Sequence, residues 1–425
     1  MPSMQMKLSS VCRKTADPAF NSSAKSLPQK YFVSPEVFAK EQTEIFSKEW
    51  LLVGHQSQLK KSGDFFLVTI ASESLIVVRD QKSEVRGFYN VCRHRGTRLK
   101  EHRAGEASSC GHASTIQCPY HAWTYGLDGR LIGAPHMDDV PGFDKADYPL
   151  HRVNLGVWEG FIFVNLADSA PLTSILSQRE RRKKQSANDG GRLRSEATAR
   201  QRPGDFISLE RWFAPLKGKF SHWNMSILQP AKRIEYDVQA NWKLMFENYS
   251  ECYHCPGVHP QLQKVSPYDS AENDLREGPF LGGFMKINPG KSLTTSGDAC
   301  ALGIEHDHEQ EDEKESTQRV FYYSIFPNIL LSLHPEYVMV HQLWPQSPER
   351  TLIVCDWLFH PDAFGRKDFR PQDAIEFWDM TNRQDWHVCE LSQQGIASRA
   401  YEPGPYSPRE SIPAAWDEYY LRVMG

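Results

Sequence analysis

Residues 90–99, NVCRHRGTRL, and residues 117–131, QCPYHAWTYGLDGRL, carry two short pairs of metal-binding side chains. Each stretch contributes one Cys and one His and directly follows a strand-like run. A short turn after a strand can aim two side chains at one point. The spacing therefore predicts a metal centre held between two facing loops. Its four candidate ligands are Cys92, His94, Cys118 and His121.

Two metal centres compete for this set of two Cys and two His. Structural zinc binds such ligands tetrahedrally, but zinc fingers usually pair Cys with Cys and His with His. In a mixed-ligand [2Fe–2S] cluster, two His replace two Cys on one iron, which raises its reduction potential. Because each loop contributes one Cys and one His, the pattern favours the cluster. Cys110 and His112 lie in the intervening stretch 105–116, and we expect them to be surface-loop residues rather than ligands.

A second constellation lies at residues 247–260, ENYSECYHCPGVHP. His254 and His259 are five residues apart, so on a regular helix they would point roughly 140° from each other. We expect the Pro-Gly pair between them to break the helix and let both imidazoles converge. Two His and one carboxylate with open positions form the usual site of non-heme Fe(II) that activates O2. Hydrolytic zinc is the competing chemistry, but a hydrolase has no use for an electron-carrying cluster.

The carboxylate of this second site must come from another segment. A helix is predicted from about Pro371 to Gln394, with Pro at its start as helix entry prefers. Asp379 and Asp385 both lie near its apolar stripe, and periodicity does not choose between them. The acidic candidates on this helix are Asp373, Glu376, Asp379, Asp385 and Glu390.

The two loops resemble the cluster loops of Rieske non-heme iron oxygenase alpha subunits, which include the aromatic-ring-hydroxylating dioxygenases. The trailing HAWTYGLDG is as specific as the ligands themselves. The resemblance implies that Cys92 and Cys118 bind one iron of a [2Fe–2S] cluster. It implies that His94 and His121 bind the other iron.

The same resemblance extends to the second constellation. Residues 382–390, NRQDWHVCE, match the family's carboxylate segment, so Asp385 is expected to join His254 and His259 as a ligand of mononuclear Fe(II). Glu251 matches an acidic residue, usually Asp, that bridges the cluster of one subunit to the iron of its neighbour. Glu at this position resembles the branch of glycine betaine, choline and carnitine monooxygenases.

The fold that the resemblance implies is α+β. An N-terminal β-rich Rieske [2Fe–2S] domain would precede a catalytic domain whose antiparallel sheet grips a helix, in a START-like arrangement. The predicted limits are 1–49 for an N-terminal helical segment packing on the catalytic domain, 50–167 for the Rieske domain, 168–205 for a basic low-complexity linker or insertion, and 206–425 for the catalytic mononuclear iron domain.

The implied activity is O2-dependent hydroxylation of a C–H bond, with N-demethylation of a betaine-like amine as the first expectation. Ring hydroxylation of an aromatic acid is the alternative within the class. A non-catalytic Rieske electron carrier is the alternative from another class. Electrons are expected from NAD(P)H through a separate flavin and [2Fe–2S] reductase or a ferredoxin, and the assembly is expected to be a homotrimer.

Charge, hydropathy and cysteine content limit the other partners and the cellular location that we expect. The formal net charge of −4 gives no reason to expect nucleic acid as a partner. No apolar run reaches the roughly 18 residues of a spanning helix, and the first residues lack a signal-peptide core. Nine cysteines, an odd number, form no regular disulfide framework. We therefore expect no membrane association and a cytoplasmic location, with the acidic stretch 305–315 as a surface loop.

Overall fold

The computed structural model describes residues 23–101, 110–167, 206–301, 303 and 319–425. The predicted linker 168–205 and the acidic stretch 305–315 lie outside the described residues. The chain divides into two compact units. The first is Lys40–Ser226, and the second combines Met1–Ala39 with Ile227–Gly425.

This division differs from the predicted domain limits after the linker, where residues 206–226 belong to the first unit. The reason is packing on a strand of that unit. The ring of Phe213 stacks on Trp158 with centroids 4.1 Å apart, and the Leu209 side chain lies so close to Gly156 that a Cβ there would come within 2.6 Å of Leu209 Cδ2. The first unit also begins at Lys40 rather than at residue 50.

The first unit is built from small antiparallel sheets. Their strand orders are β4-β3-β2-β5, β1-β10-β9 and β6-β7-β8. Apolar runs such as DFFLVTI and ESLIVVR place Leu67 of β2 and Ile76 and Val78 of β3 in a shared core. The strands are β1 (Leu51–His55), β2 (Asp64–Ile70), β3 (Glu73–Arg79), β4 (Val85–Tyr89), β5 (Cys110–His112), β6 (Ile116–Gln117), β7 (Thr124–Tyr125), β8 (Leu131–Gly133), β9 (Asn154–Trp158) and β10 (Phe161–Asn165).

Cys110 and His112 therefore form an edge strand, where the sequence predicted a surface loop. Their strand pairs with Asp64–Phe66, and His112 Nδ1 lies 3.0 Å from the carboxylate of Asp64. Neither residue lies in the two ligand loops, as expected.

The second unit is organised around one antiparallel sheet with the strand order β11-β17-β16-β15-β14-β13-β12. Long buried runs such as ILLSL and TLIVCDWLF place its central strands in the core. The strands are β11 (Gln229–Val238), β12 (Glu272–Leu275), β13 (Phe280–Lys286), β14 (Arg319–Ile325), β15 (Ile329–Leu333), β16 (Val338–Ser347) and β17 (Arg350–Phe359).

One long helix, Pro371–Ile396, packs against this sheet and agrees with the predicted helix. Its apolar stripe is buried at Ile375, Trp378 and Cys389. The Trp378 indole N–H donates to the Tyr337 hydroxyl at 2.7 Å. Among the described residues no helix has the length and apolar character needed to cross a bilayer. The helices are α1 (Lys30–Val33), α2 (Pro35–Glu41), α3 (Leu209–Trp212), α4 (Trp242–Tyr249), α5 (Cys255–Val258), α6 (Pro260–Val265), α7 (Pro371–Ile396) and α8 (Ser411–Met424).

Candidate metal centres

The two ligand loops of the first unit fold into the same kind of turn. The Gly96 N–H donates to the Cys92 carbonyl at 3.0 Å, and the Ala122 N–H donates to the Cys118 carbonyl at 3.1 Å. Gly96 and Ala122 both adopt positive φ, at 75° and 57°. Glycine accepts this conformation freely, whereas for alanine it costs about 1–2 kcal/mol. The matching turns present one Cys and one His from each loop.

The turns bury both thiols and leave the imidazoles toward the surface. Cys92 and Cys118 are 2% and 3% exposed, whereas His94 is exposed and His121 is half-buried. The His94 and His121 rings lie 4.8 Å apart. Burial raises the pKa of the Cys92 thiol, and the Tyr125 hydroxyl lies 3.4 Å from its sulfur. The two imidazoles thus lie side by side toward the surface, and the two buried thiols interact with each other beneath it.

These residues fit an iron–sulfur cluster. His121 Nδ1 is buried and has no hydrogen-bond partner among the described residues, which a coordinating nitrogen would explain. The Trp123 indole stacks on the His94 ring, with centroids 4.8 Å apart and planes 9° from parallel. This contact holds the imidazole edge in one orientation. Two buried Cys and two outer His suit a cluster whose two irons need different ligands.

In the second unit, the predicted His pair and Asp385 converge on one point. His254 Nε2 and His259 Nε2 lie 3.2 Å apart. An Asp385 carboxylate oxygen lies 2.8 Å from His259 Nε2 and 3.2 Å from His254 Nε2. The His259 side chain is 2% exposed, and those of His254 and Asp385 are 17% and 16% exposed. This donor set matches a facial site for non-heme iron.

The local fold that brings the two His together differs from the predicted one. Pro256 and Gly257 do not break a helix, because they lie inside the single turn of α5. Proline is accepted there since it occupies the first turn, where its missing N–H costs nothing. The break instead comes earlier, where α4 ends at Tyr249, and later at His259, which has non-helical torsions.

The structure distinguishes Asp379 from Asp385, which helical periodicity could not do. Asp379 accepts from the Tyr236 hydroxyl at 2.8 Å and pairs with Arg383 at 3.0 Å. Asp385 meets the two His instead. Burial raises the pKa of Asp385, but its hydrogen bonds to His254 and His259 outweigh burial and lower that pKa below its ordinary value. Asp385 is therefore the carboxylate placed to share a cation with the His pair.

Each imidazole is oriented by a second hydrogen bond behind it. His254 Nδ1 lies 2.6 Å from Glu251 Oε1, and His259 Nδ1 lies 2.8 Å from Gln384 Oε1. Both contacts direct Nε2 toward the shared point, as outer-shell partners of metal-bound His commonly do. The sequence analysis identified Glu251 but missed Gln384. The only sequence feature that could have pointed to Gln384 is its position next to Asp385.

Cys252 and Cys255, which flank His254, form a disulfide. Cys255 Sγ lies 4.0 Å from His254 Nε2, so its sulfur is close enough to join the His pair as a third ligand. A disulfide sulfur is not a thiolate, and metals bind the thiolate. The set of His254, His259 and Asp385 is therefore the better candidate.

A cavity that offers about 100 Å³ to the centre of a water molecule adjoins the His pair and Asp385. Neither Lys nor Arg occurs among the described residues that line it, whereas carboxylates of Glu251 and Asp385 do. Five aromatic rings also line the cavity, and they belong to Tyr249, Phe284, Tyr322, Trp378 and Trp386.

Two family comparisons match the two units. Residues 49–144 match the Rieske [2Fe-2S] domain, and residues 225–425 match the ring hydroxylating alpha subunit (catalytic domain). Fold and sites together define an oxygenase component with a Rieske cluster and a mononuclear iron. The chain belongs to the Rieske non-heme iron oxygenase family. The family relies on a [2Fe–2S] cluster and a mononuclear iron, and an external reductase is typical of it.

Relatives cover nearly the whole chain. The glycine betaine monooxygenase oxygenase subunit of Chromohalobacter salexigens is 30% identical over 418 residues, covering 90% of this chain and 82% of that protein. The carnitine monooxygenase oxygenase subunit of Acinetobacter baumannii is 32% identical over 380 residues, covering 88% and 86%.

Solved structures share the fold. The quaternary ammonium Rieske monooxygenase CntA with gamma-butyrobetaine has a TM-score of 0.70 at 23% identity, covering 95% of this chain and 96% of that one. Naphthalene 1,2-dioxygenase from Rhodococcus sp. has a TM-score of 0.70 at 21% identity, covering 94% of each. The likeness to both a monooxygenase and a dioxygenase confirms the predicted two-domain fold but does not distinguish substrates.

Proposed function

We propose that this protein is the oxygenase component of a monooxygenase that removes a methyl group from a quaternary or N-methylated amine such as a betaine. The observation that carries the proposal is the cavity beside His254, His259 and Asp385. Its aromatic rings offer faces to a cation, and its charged side chains among the described residues are carboxylates. The names of the relatives agree with this chemistry.

The residues of the second unit divide the work. His254, His259 and Asp385 would hold an iron that supplies dioxygen chemistry and keeps positions open for O2. Rings such as Trp378 and Trp386 would hold the ammonium group so that one N-methyl faces that metal. Glu251 and Gln384 keep the two imidazoles aimed at the shared point.

The reaction balances with an external electron source. Hydroxylation of one N-methyl group consumes one O2, two electrons and two protons, and it releases one water. The hydroxymethyl ammonium product then breaks its carbon–nitrogen bond and leaves as formaldehyde and the demethylated amine. We propose that the electrons come from NAD(P)H through a separate flavin and [2Fe–2S] reductase, in the cytoplasm.

The electron route further requires a homotrimer, in which Glu251 bridges the cluster of one subunit to the iron of the next. Glu251 already contacts the candidate ligand His254 at 2.6 Å, which supports this role. A solved structure of CntA is described as giving insight into inter-subunit electron transfer. We also propose the domain limits that the sequence predicts. The Rieske domain is 50–167, the linker or insertion is 168–205, the catalytic domain is 206–425, and 1–49 packs on the catalytic domain.

A single-turnover experiment tests the proposal without the natural reductase. The iron-loaded protein is reduced chemically, freed of reductant, mixed with O2 and offered glycine betaine, choline, carnitine or benzoate. The proposal predicts formaldehyde in step with oxidised cluster for an N-methylated compound and no product from benzoate. Hydroxylated benzoate without formaldehyde would instead establish ring hydroxylation. Cluster oxidation that never depends on any substrate would establish an electron carrier.

A further inference from the structure

Two polar side chains face the cavity from the sheet and are not used by the metal site. Tyr322 on β14 pairs across the sheet with Ser332, and Ser332 pairs with Met339 on β16. His341 is two residues beyond Met339, so it shares their face of the sheet. Both Tyr322 and His341 line the cavity, and both rings contact Tyr249, at 5.9 and 6.3 Å.

The hydroxyl of Tyr322 stands apart from the other hydroxyls in this wall. The Tyr249 hydroxyl lies 2.8 Å from that of Ser332, and the hydroxyls of Ser250 and Ser324 form a second pair at 2.8 Å. The Tyr322 hydroxyl is buried and has no hydrogen-bond partner within the described parts of the chain. A buried donor without a partner is unfavourable. A bound ligand that accepts from it would recover this cost.

His341 supplies a second donor on the same wall. It is 1% exposed, and neither ring nitrogen makes a hydrogen bond of ordinary geometry to a described residue. Burial lowers the pKa of His341 to about 4, although the Asn382 side chain, the Asp385 carboxylate and the Leu330 backbone oppose this shift. The imidazole is therefore neutral near pH 7 and carries a single N–H.

We propose that Tyr322 and His341 form a subsite that holds the carboxylate of a zwitterionic substrate by hydrogen bonds from neutral donors. The inference rests on the proposed function and narrows it from N-methylated amines in general to amino-acid betaines. A carboxylate has two charged acceptor oxygens, one for each donor, whereas a substrate hydroxyl offers one neutral oxygen that accepts more weakly.

The charges of the cavity support the assignment. No Lys or Arg among the described lining residues can pair with a substrate carboxylate, so neutral donors must hold it. A buried anion is tolerated when it is hydrogen-bonded and its charge is compensated. In a betaine the compensating charge is the ammonium group of the same molecule, which the aromatic rings and Asp385 would attract. The subsite thus selects a zwitterion over a simple cation.

Equilibrium binding tests the subsite without turnover. The iron-loaded holoenzyme is titrated without O2 with glycine betaine, choline and tetramethylammonium, and the quenching of tryptophan fluorescence is followed, since Trp378 and Trp386 line the cavity. Tyr322→Phe removes only the free hydroxyl. A hydrogen bond to a charged group is worth about 1.5–3 kcal/mol, so the Kd for glycine betaine should rise about 10- to 100-fold. The Kd for tetramethylammonium should not change.

Tyr323→Phe is the matched control, because Tyr323 is the next residue on the same strand and points away from the cavity, where its hydroxyl donates to Asp274 at 3.2 Å. It should bind all three ligands like the parent. His341→Leu should repeat the loss for glycine betaine.

Three results would overturn the subsite. They are an unchanged Kd for glycine betaine in Tyr322→Phe, an equal loss for tetramethylammonium, and an equal loss for choline, which has a hydroxyl in place of the carboxylate. If the parent binds none of the three ligands, the proposed function itself fails, and the subsite fails with it.

Discussion

The replacement Gln384→Leu tests how the second metal centre is held together. His259 Nδ1 lies 2.8 Å from Gln384 Oε1, and the His259 side chain is only 2% exposed. Leucine fills a similar volume but accepts no hydrogen bond, so a buried N–H would lose its partner at a cost of about 1–3 kcal/mol. Loss of an outer-shell partner typically weakens metal binding about 10- to 100-fold. Both estimates predict the same range for the Kd of Fe(II).

The assay is an anaerobic competition for Fe(II) between the protein and a chromophoric chelator, with the visible absorption of the cluster recorded in parallel. Gln372→Leu is the control, because Gln372 lies on the same helix, is exposed and far in sequence from the metal ligands, and donates to Glu376 at 3.0 Å. The control should bind Fe(II) like the parent. A parental Kd in Gln384→Leu, with its cluster intact, would refute the proposed role of this residue.

Two further predictions concern Glu251 and His341. Glu251→Ala should weaken Fe(II) binding about 10- to 100-fold, because His254 loses its outer-shell partner. Unlike Gln384→Leu, it should also abolish turnover when Fe(II) is saturating, although the cluster can still be reduced. Formaldehyde release at the parental rate would contradict the proposed bridging role of Glu251. Because the folded pKa of His341 is about 4 and its ordinary value is 6.5, stability is fully present above pH 6.5 and falls as the pH drops toward 4, by up to about 3 kcal/mol. Urea unfolding should show a smaller acid loss in His341→Leu than in the parent, because the contribution of this imidazole is gone while other buried groups such as His334 still titrate. Parallel curves for the two proteins would contradict the prediction.

Much of the fold and of the site geometry follows from local sequence signals. The helix predicted from Pro371 to Gln394 is found as Pro371–Ile396, because an apolar stripe at helical spacing and a Pro at the entry both act locally. The Cys-His loops are equally local, since each turn closes within five residues. The convergence of His254, His259 and Asp385 was predicted through the family resemblance.

Other features depend on partners that are distant in sequence. Periodicity left Asp379 and Asp385 equivalent as candidates. The hydroxyl of Tyr236, on strand β11, donates a hydrogen bond to Asp379 and leaves Asp385 for the His pair. Gln384 gained its role only from the position of His259. The helix break before His254 is local, but periodicity does not show it. Helix α4 ends at Tyr249, and the Glu251 carboxylate accepts from the backbone N–H groups of Tyr253 and His254 in place of helical carbonyls.

Metal analysis of the parent and two variants tests whether the chain holds two separate iron centres. The parent should hold about three irons per chain, two in the cluster and one in the mononuclear site. Asp385→Asn should lose the mononuclear iron and all formaldehyde release but keep the cluster spectrum, whereas Asp379→Asn should keep the full iron content. Full iron content and parental turnover in Asp385→Asn would mean that the second iron centre does not exist as described.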